Sequence, residues 1–326
     1  MSIYFEKSGL LTTVQDRGRY GYQSSGFSVS GVMDKRSAQL ANVLVDNPIN
    51  EAVFEFLLMG PTMKFNKSTY IAITGADFSP KLNGQEVPTY TAIHVHEGDV
   101  LEFGFAKNGL WGYVAVSSKL GVENIMGSHS TNLRCGIGGY NGRKIEAEDE
   151  ISFREKTRQI PSLEKRHIEP EFFGDKDKTI RVIPCLQNDH FTEKGIQTFF
   201  NETYVTTEQS DRMGYRLDGP AIEHKDGGDI ISDGIPLGAI QVPSHGKPII
   251  MLSDRQTTGG YTKIGTVIGV DIPLLVQSQS GTRIHFKEIT VEEAQNLYAE
   301  QFANYEKLSK ELSKMSLFER IKNLFS

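Results

Sequence analysis

Short apolar runs separated by glycine and asparagine dominate the chain. Thr69–Thr74 (TYIAIT) is β-branched and aromatic and breaks at Gly75. Ala92–Val95, Val100–Phe105, Gly112–Val116 and Ile249–Leu252 follow the same form. Runs this short, punctuated by turn residues, predict a mainly β chain built as sandwiches or barrels rather than βαβ units. One strand pattern recurs, a polar turn before an alternating apolar strand: EGDVLEF at Glu97–Phe103, EDEISF at Glu148–Phe153 and SGTRIHF at Ser280–Phe286. Two segments change to a helical period. Met33–Val45 places Ala38, Ala41, Leu44 and Val45 on one face, and Asn47-Pro48 stops it. From Thr290 a capping box with Glu293 opens a stripe of Ala294, Tyr298, Phe302, Tyr305, Leu308, Leu312 and Met315. This pattern predicts a C-terminal amphipathic helix that docks on the body or pairs with another helix.

The polar, heavily charged stretch from Lys156 to Lys178 precedes a strand at Ile180–Pro184. It predicts an N-terminal β domain over 1–160, a charged linker over 161–179, a second β domain over 180–289 and a helical tail over 290–326. The chain has 326 residues, a net charge of −6 and a pI near 5.8. That balance excludes a nucleic-acid partner, which requires a basic face to displace counterions from phosphates. Cys135 and Cys185 are far apart and form no metal spacing, as lone thiols do in a reducing compartment. The start lacks a basic segment followed by a long apolar run, and no run of about 18 apolar residues occurs. The expectation is a cytoplasmic protein without a signal peptide or a transmembrane segment.

The densest polar run is Asp254-Arg255-Gln256-Thr257-Thr258-Gly259-Gly260-Tyr261-Thr262-Lys263, just past the apolar strand Pro248–Leu252. The glycines allow close backbone approach to a ligand. Arg255 supplies a rigid fork for a carboxylate, phosphate or ureido oxygen. Thr257, Thr258 and backbone N–H groups can donate to a developing oxyanion. Lys263 is a point charge or, if desolvated, a base. The same run also suits a salt-bridged turn. Further candidates are Asp211 and Arg212 in SDRMGYRL, Asp77 just past a strand in TGADF, and Ser128 and Thr131 in the hydroxyl-rich loop GSHSTNLR. Val14–Arg19 and Ser30–Arg36 could hold an anion at the start of the first helix, although plain capping explains them as well.

Three signals carry no site. His94 and His96 share a strand face, but the acids Asp99 and Glu102 fall at the wrong interval for a metal, so none is expected. Gly136–Gly142 displaces the third glycine of a dinucleotide fingerprint and has no βαβ frame. Gly26–Gly31 begins like a phosphate loop, but Val32-Met33 stands where Lys-Ser/Thr would. No nucleotide site is complete in this chain, and there is no GxSxG elbow.

At these same residues the chain resembles the KipA-like family, also called allophanate hydrolase subunit 2. The blocks GLLTTVQDRGRYGYQSSGFSVSGVMDKRSAQLAN, EFLLMGPTMKF, ITGADFSPKLNGQEVP, MGSHSTNLRCGIGGYNGR, QSDRMGYRLDG, GAIQVPSHGKPIIMLSDRQTTGGYTKIGTVI and DIPLL occur in the family's order between Ser8 and Ile289. The departure is the tail from Glu292, which is longer and more charged than the family core. The resemblance implies two barrel-like, cyclophilin-like domains. It implies a role as the C subunit of a 5-oxoprolinase, inactive alone, which joins a KipI-like B subunit plus an A subunit in ATP-dependent opening of 5-oxoproline to glutamate. A first alternative is a biotin-dependent carboxyltransferase subunit that works on urea or a related amide, with biotin on a carrier protein. A second is a non-catalytic antagonist of a KipI-like kinase inhibitor. In the enzyme readings Asp254, Arg255, Gln256 and Lys263 are the catalytic candidates. Thr257, Thr258, Gly259, Tyr261, Asp211, Arg212, Asp77, Ser128 and Thr131 are the substrate-binding candidates. Partner-chain residues would complete the set around a small amide or lactam substrate.

Overall fold

The computed structural model describes residues 1–313, so Met315 of the tail stripe lies outside the described residues. The chain is mainly β and divides into two units. One comprises Met1–Gly18, Asp34–Phe172 and, of the described tail, residues 302–313; the other comprises Arg19–Met33 and Phe173–Gln301. The division between the large segments falls at Phe172/Phe173. Two exchanges were not legible as a linear boundary: residues 19–33 fold with the second unit, and residues 302–313 fold with the first.

The first unit holds β1 (Ser2–Lys7), β2 (Leu11–Gln15), α1 (Lys35–Leu44), β3 (Val53–Leu57), β4 (Thr62–Phe65), β5 (Thr69–Gly75), β6 (Lys81–Leu82), β7 (Gln85–Glu86), β8 (Ala92–Val95), β9 (Val100–Glu102), β10 (Trp111–Val116) and β11 (Glu150–Ser152). They form two antiparallel sheets, ordered β11-β1-β4-β9-β6-β7 and β2-β3-β10-β5-β8. Alternation along the strands turns Ile3, Phe5, Met63, Phe65 and Leu101 of one sheet toward Phe54, Phe56, Ile71, Ile73 and Val114 of the other, which makes one core. Strand β5 is buried along its whole length because α1 covers its second face. Asp34 caps α1 by accepting hydrogen bonds from the Ser37 N–H at 2.9 Å and the Ser37 hydroxyl at 2.6 Å. The expected helical face, Ala38, Ala41, Leu44 and Val45, is in the core, and Ser37, Leu40, Asn42 and Val43 are buried as well, so the helix is covered on more than that face.

The first part of the stretch read as a charged linker, as far as Phe172, belongs to the first unit and is held there through Arg166. Its guanidinium is fully buried and donates to the carbonyls of Pro161 (2.7 Å), Val43 (3.0 Å), Leu44 (3.1 Å) and Leu312 (3.2 Å), and to the Asp46 carboxylate (3.0 Å). It thereby satisfies carbonyls at the C-terminal ends of two helices, which have no intrahelical partner.

The second unit contains β12 (Asp177–Pro184), α2 (Glu193–Asn201), β13 (Tyr204–Ser210), β14 (Gly214–Asp218), β15 (Asp229–Gly234), β16 (Ala239–Val242), β17 (Ile249–Met251), β18 (Thr258–Val267), α3 (Ile272–Val276) and β19 (Arg283–Glu288). Their order is β12-β19-β13-β14-β17-β16-β18-β15, and β12 also pairs with β18. That extra pairing closes the sheet into a barrel and leaves β15 as a ribbon outside it. β12 runs parallel to β19, while Val182–Pro184 lies antiparallel to Gly265–Val267. A glycine is required at the closure: a Cβ on Gly265 would meet the Val182 side chain at 2.3 Å.

The tail forms α4 (Val291–Leu312), and its capping box is present: the Thr290 N–H donates to the Glu293 carboxylate (3.0 Å) and the Glu293 N–H to the Thr290 hydroxyl (3.2 Å). The stripe is buried only in its second half. Tyr305 packs with Leu40, Tyr90 and Leu308 of the first unit, whereas Tyr298 and Phe302 are exposed. No helix among the described residues is long and apolar enough to cross a membrane.

Candidate functional site

The turn after β17 is the centre of the candidate site. Strand β17 ends at Met251, and Leu252 and Ser253 stay buried before the chain surfaces at Gln256. Hydrogen bonds join this region to the segment between Gly18 and Asp34. Ser28 Oγ donates to the Arg255 carbonyl (2.8 Å), Ser253 Oγ to the Val32 carbonyl (3.1 Å), and Arg212 Nη2 to the Gly31 carbonyl (2.7 Å). Between the two segments and the end of β15 lies a cavity of about 390 Å³, lined by Gln23, Ser28, Val29, Gly234, Ile235, Pro236, Arg255, Gln256 and Thr257.

Arg255 is fixed by the main chain rather than by an acid. Its Nε donates to the Ile235 carbonyl (2.9 Å) and its Nη1 to the Leu252 carbonyl (3.1 Å). A guanidinium has five N–H groups. Among the described residues, the Nη2 pair and the second Nη1 hydrogen therefore have no protein acceptor, and no carboxylate forms an ion pair with Arg255. Burial lowers the Arg255 pKa, but an arginine stays charged. The Gln256 amide and the Thr257 hydroxyl make no hydrogen bond to other described protein groups. Arg255, Gln256 and Thr257 thus bring unused donors to one cavity, together with the Gln23 amide, beside the apolar Val29, Ile235 and Pro236. Such a site can hold an anionic or developing-anionic oxygen away from bulk water.

The remaining candidates have other positions. Asp254 is bound by Arg212 through two bonds, Nε to Oδ2 at 2.7 Å and Nη2 to Oδ1 at 3.2 Å. Lys263 is buried, and its Nζ donates to Asp233 Oδ2 at 2.9 Å. Both groups, read from the sequence as orienting or proton-handling, are engaged in ion pairs. Asp211 closes a turn, since its Oδ1 accepts from the Met213 N–H (2.7 Å) and the Gly214 N–H (3.2 Å). Thr258, Gly259 and Tyr261 lie on β18 where it pairs with β15, opposite Gly234, Asp233 and Asp229. A Cβ on Gly259 would meet Ile235 Cδ1 at 2.7 Å and Gln241 Nε2 at 2.8 Å, so that glycine serves packing behind the cavity wall.

Asp77, Ser128 and Thr131 belong to the first unit. Ser128 and Thr131 are fully buried, and their hydroxyls donate to Asp16 Oδ1 (2.7 Å) and to the Val14 carbonyl (2.9 Å). Asp16 also accepts from the Gly18 N–H, the His129 N–H and the Ser130 hydroxyl, so this loop is an internal network about one carboxylate. Asp77 lines a second cavity, of about 440 Å³, together with Tyr90, Lys107, Asn108 and Glu171. Burial raises the Glu171 carboxyl to about 7, against the opposing effect of Arg36 at 2.5 Å; nearby Asp34 adds to the rise.

Sequence reasoning missed Gln23, Ser28, Val29 and Gly234–Pro236. Each sits in a segment without helical or strand periodicity, and only the closed barrel with its outer ribbon brings them beside Arg255. Glu171 was also missed, because a carboxyl in a charged stretch gives no sign of burial. His94 stacks on Tyr70, with ring centroids 4.6 Å apart, and contacts His96 at 4.4 Å; burial lowers its pKa. Among the described residues no group of three or more His, Cys, Asp and Glu is placed to hold a metal.

A β chain with a closed barrel and a donor-lined cavity at its rim matches one family across most of its length. The chain belongs to the carboxyltransferase domain family, subdomain A and B, whose match spans residues 25–288. It is 33% identical over 303 residues to the C subunit of the 5-oxoprolinase of Escherichia coli (strain K12), covering 93% of this chain and 96% of that protein. It is 34% identical over 286 residues to the C subunit of the Haemophilus influenzae 5-oxoprolinase, covering 87% of this chain and 90% of that one. The solved structure of the K. lactis urea amidolyase superposes with a TM-score of 0.87 at 28% identity, covering 98% of this chain and 20% of that protein. The likeness to the 5-oxoprolinase subunits is therefore end to end, whereas this chain spans about a fifth of the amidolyase.

Proposed function

We propose that the chain is the C subunit of a 5-oxoprolinase, working with a KipI-like B subunit plus an A subunit in ATP-dependent opening of 5-oxoproline to glutamate. The observation that carries this reading is the end-to-end likeness to free-standing C subunits of two 5-oxoprolinases. The geometry supports a share of the site rather than a whole one. Arg255, Gln256 and Thr257 offer donors for a carbonyl or carboxylate oxygen, while Asp254 and Lys263 are tied in ion pairs. The proton-handling group and the ATP site are therefore assigned to the partner subunits. Co-expression with the A and B subunits should give ATP-dependent 5-oxoproline hydrolysis that disappears when this chain is omitted. Full activity from the A–B pair alone would reject the reading.

The second reading is carboxyl transfer to urea or a related amide from biotin on a carrier protein. It is supported by the family match and by the amidolyase superposition. The ureido group of biotin is small, planar and neutral, and the Arg255, Gln256 and Thr257 donors suit its oxygen. Carboxybiotin would supply the carboxyl group. This reading requires a biotinylated carrier, so activity indifferent to avidin would reject it.

A further inference from the structure

The cavity beside Arg255 combines a cation with apolar walls, and this pairing discriminates between ligands. A neutral amide needs donors but gains little from a full charge. A buried cation without a counter-ion is costly unless a ligand supplies one. Elsewhere in this unit Arg212 is matched by Asp254, Arg181 by Asp271 and Lys263 by Asp233, whereas buried Lys178 is held by the Phe173 and Leu274 carbonyls. At Arg255 two main-chain carbonyls hold the fork still while the rest of its N–H groups remain available and line the cavity. Two carbonyl dipoles orient the guanidinium but leave its net charge in place. The Val29, Ile235 and Pro236 side chains offer an apolar surface to a small ring beside it.

We propose that Arg255 is the receptor for the carboxylate of a small cyclic amide acid, with the ring against Val29, Ile235 and Pro236 and with Gln256 and Thr257 donating to its polar edge. The cavity thereby selects an anionic lactam over a neutral lactam or urea. This rests on the reading of the cavity as the substrate site. Arg255 serves here as a binding group, so its loss acts on affinity rather than on the chemical step.

The test titrates the full-length chain calorimetrically with 5-oxoproline, 2-pyrrolidinone and urea, and then repeats the titrations with Arg255→Gln and Arg255→Lys. Charge-assisted hydrogen bonds are about twice as strong as neutral ones. The native chain should therefore bind 5-oxoproline at least about tenfold more tightly than 2-pyrrolidinone. Arg255→Gln should remove that preference while 2-pyrrolidinone binding stays within about threefold, and Arg255→Lys should keep part of it. A folding defect would weaken both lactams together, so the ratio separates binding from structure, and circular dichroism of each variant checks the fold directly. Equal binding of the two lactams by the native chain, or absence of 5-oxoproline binding, overturns the assignment.

In the three-subunit complex Arg255→Gln should raise KM for 5-oxoproline by about tenfold or more and leave kcat within about threefold. An unchanged KM in an active complex overturns the carboxylate assignment and leaves the 5-oxoprolinase reading standing. Arg255-dependent binding of 5-oxoproline by a chain whose complex hydrolyses none of it does the reverse. Failure of Arg255→Gln to assemble with its partners would mean that a partner's carboxylate fills the cavity, and would also overturn the assignment.

Discussion

Substituting Asp254 by asparagine separates a structural from a chemical role for the acid at the centre of the polar run. The Arg212 side chain is 6% exposed and that of Asp254 13%, and their two bonds are short. An exposed pair would contribute about 0–1 kcal/mol. A buried one is different: removing one partner leaves a desolvated charge less well compensated, at up to about 3–5 kcal/mol. The asparagine amide would keep the shape and one acceptor but lose the charge. Arg212 also holds the Gly31 carbonyl, so the loss should loosen the segment around residues 28–32 as well. The single tryptophan, Trp111, lies in the first unit and cannot report this event. Hydrogen exchange followed by mass spectrometry can, on peptides covering Tyr204–Asp218 and Ile249–Met251. At about 1.4 kcal/mol per tenfold, protection there should fall by up to about two to three and a half powers of ten. The double variant Arg212→Met with Asp254→Leu, which removes both charges, should recover most of the loss. Near-native protection in Asp254→Asn, combined with an inactive complex, would refute the argument and return Asp254 to the chemistry.

Glu171 should make the first unit less stable as the pH rises. Its carboxyl is raised from 4.5 to about 7, so between those values the folded state holds a proton that the unfolded state has released. The associated stability is fully present below pH 4.5 and lost by about pH 7, at most about 3 kcal/mol. Glu171→Gln should flatten that part of the urea-unfolding profile read from Trp111 fluorescence; an unchanged slope would count against burial as the cause. Gly136 and Gly142 both have positive φ (63° and 69°), but a Cβ on Gly136 meets nothing within 4 Å whereas one on Gly142 would meet the Gly136 carbonyl oxygen at 2.0 Å. Gly136→Ala should therefore cost about 1–2 kcal/mol and Gly142→Ala about 2–4 kcal/mol more, measured by thermal or urea unfolding; equal costs would show that the contact relaxes freely. Arg166→Met should destabilise the first unit by about 3–5 kcal/mol, because it leaves the buried Val43 and Leu44 carbonyls without their donor and takes the buried cation from Asp46. A loss below about 1 kcal/mol in the same Trp111 assay would show that water replaces the guanidinium.

What was legible in the sequence follows the range of the interaction that encodes it. The helix at Met33–Val45 and the box at Thr290 and Glu293 are local: a cap and its partner lie three residues apart, and a 3.6-residue period needs no distant information. The runs at Thr69–Thr74 and Ile249–Leu252 show strands for the same reason. Barrel closure is non-local. It depends on Gly265 and Thr266 of β18 pairing with β16 on one edge and with β12 on the other, and its trace in the chain is a glycine, Gly265, among many glycines. The candidate site divides in the same way. Its dense polar run was visible, but the fate of each side chain was not, because the acid that neutralises Lys263 lies 30 residues upstream and the base that holds Asp254 lies 42 residues upstream. Composition gives Arg255, Asp254 and Lys263 equal standing as charged residues beside a strand. Only their partners distinguish them: a carbonyl pair leaves a cation its charge, and a carboxylate removes it. The functional weight therefore moves from the two most obvious acid–base candidates to the arginine that the fold leaves without an acid.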